Sequence, residues 1–358
     1  MRHRTLLKPL SWAYGGVLSL RNTLYNYRIF SSYNPIQRCI SVGNLAVGGT
    51  GKTPAVEYLL RHLLTLGQPA TGQLATLSRG YGRQTRGFRM ATPTDTAATL
   101  GDEPLQLYQN FGPAVCVCVG EDRAAALQHL AQQHPQIKTV VLDDAYQHRA
   151  VQPHLNILLT DYAHPFYTDD PFPDGRLRER RAGASRADVI LVTKCPQAPT
   201  LAQHADIAAR IRPYTIHKQG FTNVPVLFAG LTYGEARHLT TGELAPVGGP
   251  VRLVSGLANA APLVRYVADT WGLTHHHAFA DHHAYTRAEV ARLLAETPPH
   301  EWLLTTQKDA VKLAPLLTPT ERQTRLVAVL PVQMCFFDPQ DATTLARLMD
   351  TCLAGDNP

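Results

Sequence analysis

The segment Gly48-Gly-Thr-Gly-Lys-Thr53 combines glycines, a lysine and a hydroxyl at a spacing that suits phosphate binding. Backbone N–H groups of a glycine-rich turn can wrap phosphate oxygens. A helix starting near Thr53 would direct its positive end at the same atoms. Lys52 would reach the terminal phosphates and Thr53 would ligate a divalent cation. Ala46 stands where such loops usually begin with glycine, so the candidate nucleotide-binding stretch is Ala46, Val47, Gly48, Gly49, Thr50, Gly51, Lys52 and Thr53.

Other clusters carry chemistry of the same kind. The apolar run Lys138-Thr-Val-Val-Leu-Asp-Asp144 ends in two carboxylates. At the end of a strand beside a phosphate loop, the first, Asp143, suits a metal opposite Thr53, and Asp144 could support it. Ala145-Tyr-Gln-His-Arg149 adds polar groups at the same edge. Leu77-Ser-Arg-Gly-Tyr-Gly-Arg83 sets Arg79, Tyr81 and Arg83 among glycines, which suits phosphate and sugar contacts or a turn with surface arginines. Gly101-Asp-Glu-Pro104 offers Asp102 as a helix N-cap or as a base for a substrate hydroxyl. The basic run Gly175-Arg-Leu-Arg-Glu-Arg-Arg181 is either solvated surface or a source of arginine for phosphoryl charge. Phe279-Ala-Asp-His-His-Ala-Tyr285 places an Asp-His-His cluster on a loop, where packing rarely needs such residues. In Leu304-Thr-Thr-Gln-Lys-Asp-Ala-Val-Lys312, Thr306 and Asp309 suit a helix start, while Lys308 is unfavourable there and points to an anionic ligand or partner.

These residues need a scaffold. Apolar strand-like runs at 38–43, 74–79, 113–119, 138–143, 155–160 and 188–193 alternate with helical patterns at 53–66, 104–111, 121–133 and 200–212. That alternation predicts an α/β fold: a mostly parallel, P-loop NTPase-type sheet flanked by helices. Beyond Pro225 a second series follows, with strands near 226–231, 251–256, 301–306 and 326–331 and helices near 259–271, 286–297 and 340–353. The expected organisation is an arm at 1–36, a nucleotide-binding domain at 37–223 and a smaller α/β domain at 224–358. The stretch 161–187 is long and rich in Pro, Asp and Arg, which marks a functional loop or lid.

The chain has 358 residues, ordinary hydrophobic content and a net charge of +6, which suits an anionic partner. The positive charge is concentrated early: Arg2, Arg4, Lys8, Arg21, Arg28, Arg38 and Lys52 precede the first acid, Glu57. Within 5–30, Leu6, Leu7, Leu10, Trp12, Tyr14, Val17, Leu18, Leu20, Leu24, Tyr25, Tyr27, Ile29 and Phe30 interleave with basic residues. No uncharged apolar run is long enough to span a bilayer. The pattern predicts an amphipathic helix at the membrane interface, bent or broken at Gly15-Gly16. Six cysteines without C-x-x-C spacing read as small buried hydrophobes in a reducing compartment. A nucleotide-driven switch or metallochaperone, and a basic nucleic-acid binder, are the competing readings; early basic residues lying among leucines favour lipid over nucleic acid.

Taken in order, Ser41-Val-Gly-Asn-Leu-Ala-Val-Gly-Gly-Thr-Gly-Lys-Thr-Pro54, Ser78-Arg-Gly-Tyr-Gly82, Gly101-Asp-Glu-Pro104, Leu142-Asp-Asp-Ala-Tyr-Gln-His148, Leu177-Arg-Glu179, Phe279-Ala-Asp-His282 and Thr306-Gln-Lys-Asp-Ala-Val311 resemble the tetraacyldisaccharide 4′-kinase family of lipid A biosynthesis. The resemblance spans nearly the whole chain. It implies transfer of the γ-phosphoryl of ATP, with Mg²⁺, to the 4′-hydroxyl of a tetraacyldisaccharide 1-phosphate. It implies a peripheral protein, monomeric and without nucleic-acid partners, on the cytoplasmic face of a Gram-negative inner membrane. By match of motif, Asp102 would be the base, supported by His282, with Lys52, Asp144, Arg178 and Glu179 completing the catalytic set. Thr53 and Asp143 would hold the metal. Arg79, Tyr81, Glu103, Gln147 and His148 would contact the substrate.

Overall fold

The computed structural model describes residues 4–65, 67, 72–216 and 224–355, with side chains from residue 8 onward. Arg2 and the side chains of Arg4, Leu6 and Leu7 lie outside the described residues, as do residue 66 of the expected 53–66 helix and 217–223 before the expected domain boundary.

A nine-stranded sheet forms the main body. The strand Arg38–Asn44 lies at its centre, between Thr139–Asp143 and Leu155–Asp161, and is parallel to both. Leu74–Ser78 and Val115–Val119 extend one side, and Val189–Thr193 and Val226–Tyr233 the other, all in parallel pairs. The central strands are buried along almost their whole length, as expected of a sheet covered on both faces. Parallel pairing brings the ends of Arg38–Asn44 and Thr139–Asp143 together, with Val42 opposite Asp143. The phosphate loop and the paired carboxylates therefore share one sheet edge.

The second unit lies within a shorter span than the 224–358 read from the sequence. Val226–Tyr233 joins the main sheet beside Val189–Thr193, and Val332–Phe336 pairs antiparallel to it. The C-terminal helix Pro339–Ala354 buries Leu345, Met349 and Cys352 in the same core as Ile40 and Val42. Only the chain between these returns forms the five-stranded second sheet, in the order Gly272–Ala278, Pro250–Ser255, Trp302–Thr306, Val327–Leu330 and Arg237–His238. The two crossings lie side by side, joined by Gly234 N–H donating to Pro331 O at 2.9 Å. Pro225 marks a local break, but pairing between distant strands decides sheet membership.

The second unit docks through the helix Gln307–Leu313, whose Val311 is buried with Leu100, Leu105 and Val119 of the main body. Gln307 Nε2 also donates to Asn110 Oδ1 at 3.1 Å.

The N-terminal helix Arg4–Asn26 is continuous through Gly15-Gly16, contrary to the expected break. Gly15 is buried against Arg180 and Pro171, and a Cβ there would lie 3.3 Å from Arg180 Nε. Tertiary contact thus outweighs the low helix propensity. The amphipathicity is inverted. Ser11 and Gly15 are buried and Asn22 is half-buried against the protein, while Leu10, Trp12, Val17 and Leu20 are exposed, Trp12 at 73%. No helix among the described residues is long and apolar enough to cross a membrane.

Candidate active site

The turn after Arg38–Asn44 contains two glycines with positive φ, Gly48 at 108° and Gly51 at 78°, a conformation that side chains resist. Asn44 Nδ2 donates to Thr50 Oγ1 at 2.8 Å, and Thr193 Oγ1 donates to Thr50 O at 2.8 Å. Lys194 Nζ bonds Gly49 O and lies 3.1 Å from Asp161 Oδ2. Thr193 and Lys194, at the end of the strand Val189–Thr193 on the far side of Leu155–Asp161, therefore brace the phosphate loop. Its other flank is the 161–187 stretch: Ala46 bridges Leu177, and Arg178 N–H donates to Leu45 O at 2.6 Å. Lys52 and Thr53 open the helix Lys52–Thr65, as the spacing predicts.

Asp143 and Asp144 differ sharply. Asp143 is buried, its Oδ1 has no hydrogen-bond partner, and burial followed by the Asp144 charge pushes its carboxyl up to about 7. Burial also pushes Asp144 upward, but Lys52 and Arg178 outweigh that and hold it below the usual range. Lys52 Nζ lies 3.6 Å from Asp144 Oδ1, and Arg178 Nη1 donates to both Asp144 oxygens at 2.9 Å. Asp144 adopts φ +50°, which is uncommon without glycine and recurs at functional sites. The orphaned Asp143 oxygen is a donor that a cation could take. Among the described residues no group of three or more His, Cys, Asp or Glu side chains is placed to hold a metal ion. One carboxylate and the Thr53 hydroxyl would suit a Mg²⁺ that keeps several waters and takes phosphate oxygens.

Across the cleft, Asp102 begins the helix Asp102–Phe111. Gly101, with φ 97°, occupies the N-cap position and no side chain caps the helix, so the capping reading of Asp102 is set aside. A Cβ on Gly101 would lie 2.9 Å from Tyr81 O, so this close approach of two loops requires glycine. Buried Glu57 of the phosphate-loop helix accepts from Gln106 at 2.9 Å and Asn110 at 2.8 Å, fixing the Asp102 helix to that loop.

His282 comes from the second unit, with φ +59°. Its Nδ1 lies 3.4 Å from Asp102 Oδ2, and its Nε2 lies 3.8 Å from Glu103 Oε1. Lys308 Nζ meets His282 Nε2 at 3.2 Å and Asp281 at 2.6 Å. An ammonium only donates, so Nε2 accepts and a neutral ring carries its proton on Nδ1, facing Asp102. Asp281 is thus the acidic partner that the placement of Lys308 predicts. Thr306 caps its helix and Asp309 N–H donates to it, also as expected.

The structure brings the phosphate loop, Asp143, Asp144, Arg178, Asp102, Glu103 and His282 to one cleft. Tyr81, 74% exposed, presents its ring edge to His282, and Arg79 is exposed beside it. Arg83 serves elsewhere: it pairs with Glu121 at 2.6 Å and donates to Gly87 O. Glu179 is 1% exposed and accepts from Arg186, Gln147 and Asn22, so it ties the N-terminal helix and the Asp144 loop together without facing the cleft. Gln147 also donates to Asn44 O at 2.8 Å. The His148 side chain is half-buried, and burial followed by Arg123 lowers its pKa. Arg176 pairs with Asp169, leaving Arg178 as the arginine at the carboxylates.

Sequence reading gave no role to Lys312. Its Nζ is buried without a hydrogen-bond partner, 3.5 Å from Asp102 Oδ2 and 3.7 Å from Asp309 Oδ1. Its spacing of four residues from Lys308, one helical turn, is the signal that could have found it.

A family profile described as tetraacyldisaccharide-1-P 4′-kinase matches residues 3–352. The tetraacyldisaccharide 4′-kinase of Cytophaga hutchinsonii is 39% identical over 317 residues, 88% of this chain and 86% of that one. Its counterpart in Bacteroides thetaiotaomicron is 34% identical, covering 92% of this chain and 88% of its own. The crystal structure of LpxK from Aquifex aeolicus, in complex with ATP, superposes with a TM-score of 0.72 at 25% identity, over 98% of this chain and 99% of that one. With a match this continuous, the chain belongs to the tetraacyldisaccharide-1-P 4′-kinase family, and its activity is ATP-dependent phosphorylation of the 4′-hydroxyl of the lipid A precursor.

Proposed function

We propose that Asp102 is the general base of this transfer and that His282 holds it in place from the second unit. The 3.4 Å contact between them across the cleft carries this reading. A sugar hydroxyl is a weak nucleophile until a base is close. Asp102 takes the proton of the 4′-hydroxyl as the oxygen attacks the γ-phosphorus of ATP. His282 Nδ1–H stabilises the carboxylate facing the acceptor. The phosphate-loop N–H groups and Lys52 bind the nucleotide phosphates, and Arg178 approaches the transferred group from the Asp144 side. Thr53 and Asp143 would hold Mg²⁺, which would supply positive charge against the nucleotide phosphates. Because Asp102 and His282 lie on different units, the full site exists only when those units are docked, which favours transfer to the acceptor over loss to water.

The protein acts as a monomer bound peripherally to the cytoplasmic face of the inner membrane. The support is the inverted N-terminal helix, which exposes Trp12, Val17 and Leu20 while Tyr14 bonds Arg178 O at 3.4 Å on its protein side. Lipid contact and catalytic loop thus meet on one helix.

The test is steady-state kinetics with the acylated disaccharide 1-phosphate. Asp102→Ala and His282→Ala lower kcat by about 10²–10⁴-fold with little change in the KM for ATP. Near-normal turnover in both, alongside an inactive Lys52→Ala, would falsify the base assignment.

A further inference from the structure

Packing does not hold the first half of the phosphate loop. Gly48 and Gly49 are exposed, and a Cβ on either would meet no atom within 4 Å beyond the adjoining residues. Glycine also gives up more conformational freedom on ordering than any other residue. An unbraced Gly48-Gly49 pair would have to be ordered by the nucleotide itself, which weakens binding.

Two side chains at the end of the strand Val189–Thr193 supply a restraint. Lys194 Nζ donates to Gly49 O, and Thr193 Oγ1 donates to Thr50 O at 2.8 Å. In a trans peptide the carbonyl and the next N–H point in opposite directions. Holding Gly49 O on Lys194 turns Thr50 N–H away from Lys194, where it closes on Gly48 O at 3.1 Å and tightens the turn. Holding Thr50 O on Thr193 turns Gly51 N–H away from Thr193. With Gly51 at φ 78°, this backbone suits the concave arrangement of N–H groups that binds anions.

Lys194 is itself firmly placed. Its ammonium lies 3.1 Å from Asp161 Oδ2. Asp161 Oδ1 accepts from the N–H groups of Ala163 at 2.9 Å and His164 at 3.2 Å, which fixes the carboxylate. Lys194 adopts φ +58°, uncommon for a residue with a side chain. Such backbone persists where its surroundings impose it and recurs at functional sites. Here Tyr162 N–H donates to Thr193 O, and Cys195 N–H to Ala229 O, both at 3.0 Å, so the chain is clamped on either side of Lys194.

We propose that Lys194 is a positioning residue for triphosphate binding: anchored by Asp161, it fixes Gly49 O and so orders the phosphate loop before the nucleotide arrives. It acts through the loop and does not touch the nucleotide. This rests on the reading of that loop as the nucleotide-phosphate site. An ammonium suits the task because its several donors can serve a carbonyl and a carboxylate at once. Asp102 and His282 take no part in the brace, so its loss falls on the nucleotide and not on the acceptor.

The experiment uses the full chain with Lys194→Met, which keeps most of the aliphatic stem, and Lys194→Arg, which keeps a charged donor. ATP is the substrate, and inorganic tripolyphosphate with Mg²⁺, which has neither base nor sugar, is the competitive inhibitor. In Lys194→Met the KM for ATP should rise about tenfold, the scale of one hydrogen bond to a charged group, with kcat within about threefold and the KM for the acylated acceptor unchanged. The Ki of tripolyphosphate should rise by the same factor, and Lys194→Arg should recover part of both. The Lys194 side chain is 35% exposed, so the Tm without nucleotide should stay that of the unaltered protein. An unchanged KM for ATP in Lys194→Met would overturn the proposal. So would a raised KM with an unchanged Ki for tripolyphosphate, which would set Lys194 against the base or sugar. A lowered Tm with parallel losses toward both substrates would make Lys194 a contact of the fold alone and overturn the proposal too. Failure of the underlying reading shows separately, because Lys52→Ala would then leave the Ki of tripolyphosphate unchanged.

Discussion

Replacing Asp143 with asparagine should abolish activity and yet stabilise the protein when nucleotide and metal are withheld. The Asp143 carboxyl sits beside Asp144 with one orphaned oxygen, and burial first, then Asp144, raises it from 3.8 to about 7. A group whose folded value lies above its unfolded value favours the neutral form in the fold. Below pH ~4 both states are protonated and there is no penalty. Between ~4 and ~7 the unfolded chain ionises while the folded one resists, so stability falls as pH rises, and above ~7 the loss is constant. The interval from 3.8 to about 7, at ~1.4 kcal/mol per pH unit, sets a ceiling of about 4 kcal/mol. Relaxation around real buried charges reduces this to ~2 kcal/mol, or roughly 3 °C in Tm for a chain of 358 residues. Asp143→Asn removes the ionisation and nearly keeps the shape. Thermal unfolding followed by tryptophan fluorescence in chelator should therefore show a gain at pH 8 that vanishes near pH 4. Saturating Mg²⁺ and nucleotide should erase the difference at pH 8, because ligand binding stabilises only the unaltered protein strongly. A gain independent of pH, or a variant less stable than the parent at pH 8, would refute the reasoning.

Other expectations concern positioning. Lys312→Met removes the ammonium between Asp102 and Asp309, and kcat should fall by roughly 10–100-fold at constant KM for ATP, with Lys312→Arg recovering part of it. A fall of equal size in both parameters would count against a role at Asp102. Glu179→Ala leaves Arg186 buried and uncompensated, at a cost of about 3–5 kcal/mol; denaturant unfolding should show it, and limited proteolysis should find the N-terminal helix released. Trp12→Ser with Leu20→Ser should leave unfolding unchanged within about 0.5 kcal/mol, since both side chains are exposed. The same double variant should reduce flotation on lipid vesicles by tenfold or more, and undiminished flotation would move the membrane surface elsewhere.

Much of this site was legible because its motifs are local. A glycine-rich turn between a buried strand and a helix, and a strand ending in Asp-Asp, carry their chemistry in adjacent residues. Helices and strands of the main body followed from apolar periodicity for the same reason. The N-terminal helix was legible in composition, but its orientation was not: only docking of Ser11, Gly15 and Asn22 against the 170–180 loop turns the apolar side chains outward. The division of labour within motifs also escaped the sequence. Arg178 and Glu179 are neighbours, yet one faces Asp144 and the other is buried under Arg186.

What the sequence alone determined is the inventory: a phosphate loop, a strand ending in two carboxylates, an Asp near a helix start, an Asp-His-His loop and a basic, apolar arm. Tertiary structure decided the assembly. It assigned Val226–Tyr233 and Val332–Phe336 to the main sheet, because hydrogen-bond pairing between distant strands is not encoded by any single segment. It brought His282 and Lys312 to Asp102 by burying Val311 in the main body, a contact between residues about two hundred positions apart in the chain. It also set Asp143 apart from Asp144, since burial and the nearness of Lys52 and Arg178, rather than residue type, give two adjacent aspartates opposite tendencies to ionise.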